Sequence, residues 1–134
     1  GWTYDTGHLL IGGYDPIAFG RNYTDRIRHV HLKDVVLELS KPVMTGDQSI
    51  MQAVQAGMFC NLGAGDVAID EAVQIMVDSG FEGWYVIEQD AAIEGEMPAV
   101  GAGPVLDIAA SLTYLTSLPT GQAHVRVNNN EGNS

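Results

Sequence analysis

The chain has 134 residues, and 6 basic against 17 acidic side chains leave a formal charge of −11. That balance excludes a protein that coats nucleic acid or docks on an anionic membrane, because both need clustered Lys and Arg. With 46% apolar and 17% charged residues the composition is that of a globular protein of ordinary domain size.

No run approaches the roughly 18 apolar residues of a membrane span, and the opening Gly-Trp-Thr-Tyr does not read as a signal peptide. Cys60 has no second cysteine to pair with, so a reducing cytoplasm is the expected compartment.

In chain order the sequence reads as three strand-then-helix units and a tail. A strand over residues 2–4 leads through Asp5-Thr6-Gly7-His8 to a turn at Gly12-Gly13. Asp15 followed by Pro16 is an N-cap with proline at the first helical position, and that helix extends to about Tyr23. Residues 28–32 form the second strand. An irregular connection is expected over 33–48, because it contains Pro42 and Gly46. Residues 49–56 predict a short helix stopped by Gly57, and 59–66 a glycine-punctuated loop.

Asp70 is the expected cap of a helix carrying Val73, Met76 and Val77, with Gly80 and Phe81 forming its stop. The third strand spans 84–88. A Gly/Ala-rich loop covers 91–103, and Pro104 starts a helix with Val105, Ile108, Ala109, Leu112 and Leu115 on one stripe. Met51, Met58 and Met76 are expected in the core. Residues 119–134 bury little and are expected to be a disordered tail. Alternation of strand and helix predicts an α/β fold with a parallel sheet and helices outside it.

Parallel strands are normally apolar on both faces, and here they are not. Side chains alternate along a strand, so His29, His31 and Lys33 share one face while Val30 and Leu32 take the other. Likewise Trp84, Val86, Glu88 and Asp90 share a face, as do Thr3 and Asp5. Each strand ends its polar face in an ionisable group, at the end of the sheet where α/β folds place their sites. Asp5, His31 and Glu88 offer two carboxylates and one imidazole, a set suited to Mn²⁺, Co²⁺, Mg²⁺ or Zn²⁺.

Three ordered segments carry a family resemblance: Asp5-Thr6-Gly7-His8-Leu9 with Gly12-Gly13-Tyr14-Asp15-Pro16; residues 26–35, containing His29-Val30-His31-Leu32-Lys33-Asp34; and Gly83-Trp84-Tyr85-Val86-Ile87-Glu88-Gln89-Asp90. The chain resembles the sugar phosphate isomerase/epimerase family of xylose-isomerase-like barrels, and within it the inosose dehydratases. The resemblance implies metal ligation by Asp5, His31 and Glu88, with Mn²⁺ or Co²⁺ favoured. Glu88 also exchanges a substrate proton in the epimerases of the family, and His8 contacts substrate.

A complete (β/α)₈ barrel needs about 250 residues. Residues 1–118 are therefore expected to be the last three βα units of such a barrel. A further Glu ligand would lie on a preceding strand, and the chain by itself is expected to be inactive.

The implied enzyme is a metal-dependent lyase (dehydratase) or isomerase/epimerase. It acts by removing a proton next to a metal-polarised carbonyl of a keto-polyol or sugar. His8 and Lys33 are the acid/base or oxyanion candidates, with Lys33 as an ion-pair partner of Asp34 or Asp90 the competing reading. A homo-oligomer is an open alternative; nucleic acid and membrane are not expected partners. An endonuclease-IV-like DNA repair enzyme is the rival within the barrel group, but residues 61–70 lack the His it requires. A non-catalytic acidic α/β module is the rival outside it.

Overall fold

A computed structural model of the chain describes residues 1–120. Most of the tail expected over 119–134, from residue 121 on, lies outside the described residues.

Strand β1 (Trp2–Asp5) passes directly into helix α1 (Thr6–Ile11), whose N-cap is Asp5. Helix α2 (Pro16–Tyr23) starts as expected: the Asp15 carboxylate accepts from the N–H groups of Ile17 (2.8 Å) and Ala18 (3.2 Å). Strand β2 (Ile27–Leu32) pairs in parallel with β1 on one side and with β5 (Trp84–Ile87) on the other, giving the order β1-β2-β5. The register sets Asp5 beside His31 and His31 beside Val86. Glu88 N–H continues the ladder to Leu32 O at 3.1 Å. From His29 on, alternation holds along β2: Val30 and Leu32 are buried, while His29 and His31 are half-buried; before it the register shifts by one residue, and Ile27 lies in the core.

The stretch 33–48 is not irregular. It contains a two-residue strand, β3 (Asp34–Val35), and a nine-residue helix, α3 (Leu37–Thr45). Pro42 lies inside that helix and does not break it, because Leu39 and Val43, one turn apart, pack on the core. The first exposed donor, Leu37 N–H, is satisfied by Asp66 Oδ2 at 2.7 Å, and Gly46 ends the helix at φ 83°.

The loop expected over 59–66 begins instead with strand β4 (Phe59–Cys60), antiparallel to β3. Between α3 and β4, helix α4 (Ile50–Gln55) starts one residue later than expected, with Ser49 as its N-cap, completed by Gln52 as a capping box.

Helix α5 (Ile69–Asp78) is capped at Ala68, so Asp70 belongs to its first turn and is not the cap. Its stop is the expected one: Gly80 N–H bonds Val77 O at 3.0 Å and Phe81 N–H bonds Met76 O at 3.1 Å. In helix α6 (Pro104–Ser117) the expected stripe is only partly right. Ser111 is fully buried, and its Oγ accepts Leu62 N–H at 3.0 Å, whereas Val105 and Leu112 are exposed. Met58 and Met76 are buried; Met51, at 62% exposure, lies on the outer side of α4.

The core lies between the sheet and the helices on its Val30/Leu32 side, around Tyr4, Ile27, Val30, Leu32, Ile69, Ala72 and Met76. Tyr4 Oη donates to Pro16 O at 2.8 Å, tying β1 to the start of α2. Among the described residues no helix is long and apolar enough to cross a membrane.

Candidate metal centre

Asp5 on β1, His31 on β2 and Glu88, the residue after β5, meet at one rim of the parallel sheet. Their ligand atoms all lie within 4.8 Å of one another. His31 Nδ1 is 2.7 Å from Glu88 Oε2 and 3.8 Å from Asp5 Oδ2. The strands' common direction and their register, which shifts between Trp2 and Thr3 and then sets Asp5 beside His31, produce this convergence. A one-residue slip in any of them would turn its polar group toward the helices.

Each carboxylate is held by one oxygen and offers the other. Asp5 Oδ1 accepts His8 N–H at 2.8 Å as the cap of α1, while Oδ2 faces the two histidines. Glu88 Oε1 accepts from Lys33 Nζ at 2.9 Å, while Oε2 faces His31. Anchored ligands of this kind, two hard oxygens around an imidazole, fit a divalent cation. The local charge agrees: Asp5, Glu88 and Asp90 supply three carboxylates against the single ammonium of Lys33. Burial works to raise the Glu88 pKa, but the hydrogen bond and charge of Lys33, with help from His31, outweigh it and hold the group below its ordinary value. Glu88 is therefore anionic at neutral pH, the form that binds a cation or accepts a proton.

His8 stands at the rim, its side chain half exposed, with Nδ1 donating to Asp5 Oδ2 at 2.8 Å. Lys33 is placed differently. Its side chain is fully buried, and Nζ donates to Glu88 Oε1 and, at 2.8 Å, to Asp90 Oδ2. Of the ion pairs open to it, the structure forms the one with Asp90 and not the one with Asp34. Burial pulls the ammonium pKa down, and the hydrogen bonds and charges of Asp90 and Glu88 pull harder, leaving it raised.

Sequence reasoning missed the seat of Lys33. Thr6 Oγ1 donates to Lys33 O at 2.8 Å and accepts Lys33 N–H at 3.0 Å. The Phe59 ring lies 4.6 Å from Nζ, and His8 meets the same ring edge-on. Gly7 leaves room for the stem: a Cβ there would fall 2.7 Å from Lys33 Cγ. It also missed Asp34, whose buried carboxylate gathers four backbone donors: Oδ1 accepts from Val35 (2.9 Å) and Val67 (3.0 Å), Oδ2 from Gly63 (2.9 Å) and Gly65 (3.0 Å). The signal for it was the Gly63-Ala64-Gly65 loop, whose bare N–H groups need an anion; the anion is a side chain of this chain, not a phosphate.

Comparison with known proteins follows the same lines. The sequence pattern of the family described as "Xylose isomerase-like TIM barrel" matches residues 1–116. Inosose dehydratase 2 of Bacillus cereus is 41% identical over 92 residues, 67% of this chain and 31% of the relative. The inosose dehydratase of Clostridium tetani is 41% identical over 87 residues, 65% of this chain and 29% of the relative. That of Bacillus anthracis is 40% identical over 92 residues, 67% and 31% respectively. The chain thus spans less than a third of the length of these relatives. Three parallel strands with helices outside them form an arc of such a barrel, and the chain belongs to the xylose isomerase-like TIM barrel family.

Proposed function

We propose that Asp5, His31 and Glu88 are ligands of a divalent metal in an enzyme that acts on a keto-polyol or sugar. The enzyme is a dehydratase of the inosose type or a related isomerase/epimerase. The observation that carries this reading is the convergence of the three ligand atoms within 4.8 Å at the carboxyl ends of parallel strands. The names of the relatives support the substrate class. Two oxygens and one nitrogen favour Mn²⁺ or Co²⁺ over Mg²⁺, which prefers all-oxygen sites, with Zn²⁺ the remaining choice. Residues 1–118 are on this reading the part of the barrel that carries three of its ligands, in a protein of the reducing cytoplasm.

When bound, a divalent ion polarises a substrate carbonyl and its neighbouring hydroxyl, acidifying the adjacent C–H. Glu88 is anionic and stands in the same cluster, positioned to take that proton. His8 has Nδ1–H committed to Asp5; with the ring protonated, Nε2–H gives a proton to a departing hydroxyl, and with the ring neutral Nε2 accepts a hydrogen bond from substrate. Lys33, carried from the sequence as the other acid/base candidate, is buried with both Nζ contacts on carboxylates; its part in the reaction is to set the charge and orientation of Glu88.

His31→Ala in the full-length protein tests the assignment. The expected result is loss of bound metal by elemental analysis and loss of metal-dependent turnover of 2-keto-myo-inositol, with an unchanged circular dichroism spectrum. Full metal content and turnover in that variant would remove His31 from the site.

A further inference from the structure

Glu88 can meet a cation with one oxygen or with two, and which it does depends on what restrains Oε1. The restraint is Lys33 Nζ at 2.9 Å. An ammonium that had only Glu88 as partner would be free to bridge both of its oxygens and compete for Oε2. Here it is drawn aside by a second carboxylate, Asp90, at 2.8 Å. The rest of the Lys33 side chain has no freedom to follow: Thr6 bonds its backbone on both sides, Gly7 closes on its stem, and Phe59 lies beneath Nζ.

We propose that Asp90 is a positioning residue of the metal centre: by holding Lys33 between itself and Glu88 it confines Glu88 to single-oxygen ligation through Oε2. The inference rests on the metal reading above and goes beyond it, because Asp90 is not among the residues within ligand distance. Asp90 also follows Glu88 by two residues, the spacing at which a chain running on from a strand presents side chains to one side, so a single segment delivers both carboxylates to one ammonium. Its charge has a second effect. Without it, Lys33 would cancel one of only two remaining carboxylates in the cluster.

The test uses Mn²⁺ alone as the probe, titrated into the metal-free full-length protein by calorimetry, with the visible absorption of the Co²⁺-loaded form read in parallel. Residues that orient metal ligands are worth about 10- to 100-fold in metal affinity. Asp90→Asn is expected to weaken Mn²⁺ binding by about tenfold and to alter the Co²⁺ spectrum, as Glu88 changes its mode of ligation. Asp90→Glu is expected to restore most of the affinity.

In a Lys33→Met background, Asp90→Asn is expected to add little, because the two act through one contact. Wild-type affinity in Asp90→Asn, or an equal loss with and without Lys33, overturns the clamp. A wild-type protein that takes up no Mn²⁺ overturns the metal reading and the clamp together, so the two failures are told apart by the first titration. Should Asp90→Asn fold poorly, Asp90→Ser with the same two readouts decides.

Discussion

Asp34 is fully buried, and two of its four donors come from the backbone of glycines. At Gly65 a Cβ would fall 2.4 Å from Asp34 Oδ1 and 2.7 Å from Val35 O, so loop and carboxylate fit only without a side chain. Asp34→Asn keeps the shape but turns an amide NH₂ toward two N–H groups. The expected loss is about 3 kcal/mol of stability, measured by urea unfolding; a loss below about 1 kcal/mol would mean the loop finds other acceptors. Cys60 faces Asp34 across the β3–β4 pair. Burial, then the charges of Asp34 and Asp66, push its thiol up to about 11. Stability from the neutral thiol is complete below the unfolded value of about 8.5 and is lost as pH rises through the folded one. Labelling of native protein by iodoacetamide at about pH 8 should therefore be slower than that of unfolded protein, and its rate should climb as the pH nears the folded value. Equal rates would show the thiolate to be unperturbed. The three proposed ligands were legible because parity along a strand needs no tertiary information. The donors around Asp34 were not, because three of the four arrive from 29 to 33 residues away.

At the scale of elements, the cap at Asp15 and the stop at Gly80, whose partners are local, were read correctly, whereas Ser49 was placed inside the helix it caps. Helix α3 was hidden because its start is capped by Asp66 from a distant loop and its centre holds a proline. Two-residue strands such as β3 and β4 carry no period to detect. The stripe of α6 misled because a hydrophobic pattern assigns serine to water, whereas Ser111 is buried to serve the Leu62 N–H. Pro42 costs α3 the hydrogen bond to the Glu38 carbonyl. Pro42→Ala restores that donor while loosening the unfolded chain. The expected balance is a gain of about 1 kcal/mol, read as a higher midpoint in thermal unfolding; a lower midpoint would mean the ring itself packs better than the bond it replaces.

Across the whole molecule the parallel sheet and the family were legible, because the order of three motifs carries them. Several large apolar side chains are exposed in an otherwise acidic chain: Met97 is 79% exposed, Leu106 59% and Val105 51%. Apolar area of this kind binds hydrophobic probes. The 134-residue chain should enhance the fluorescence of an anilinonaphthalene dye, and Leu106→Lys should reduce that signal; no enhancement would mean these side chains are covered in solution. The order β1-β2-β5 has a temporal consequence as well. No pair in that sheet is a hairpin, and His31 and Glu88 are 57 positions apart in sequence. Bringing Asp5 to them as well requires two crossovers to close, β1 to β2 and β2 to β5, a slow search against chain entropy. On the metal reading proposed above, capacity to capture an ion is therefore expected only late in refolding, and a partly assembled chain, however helical, should hold none.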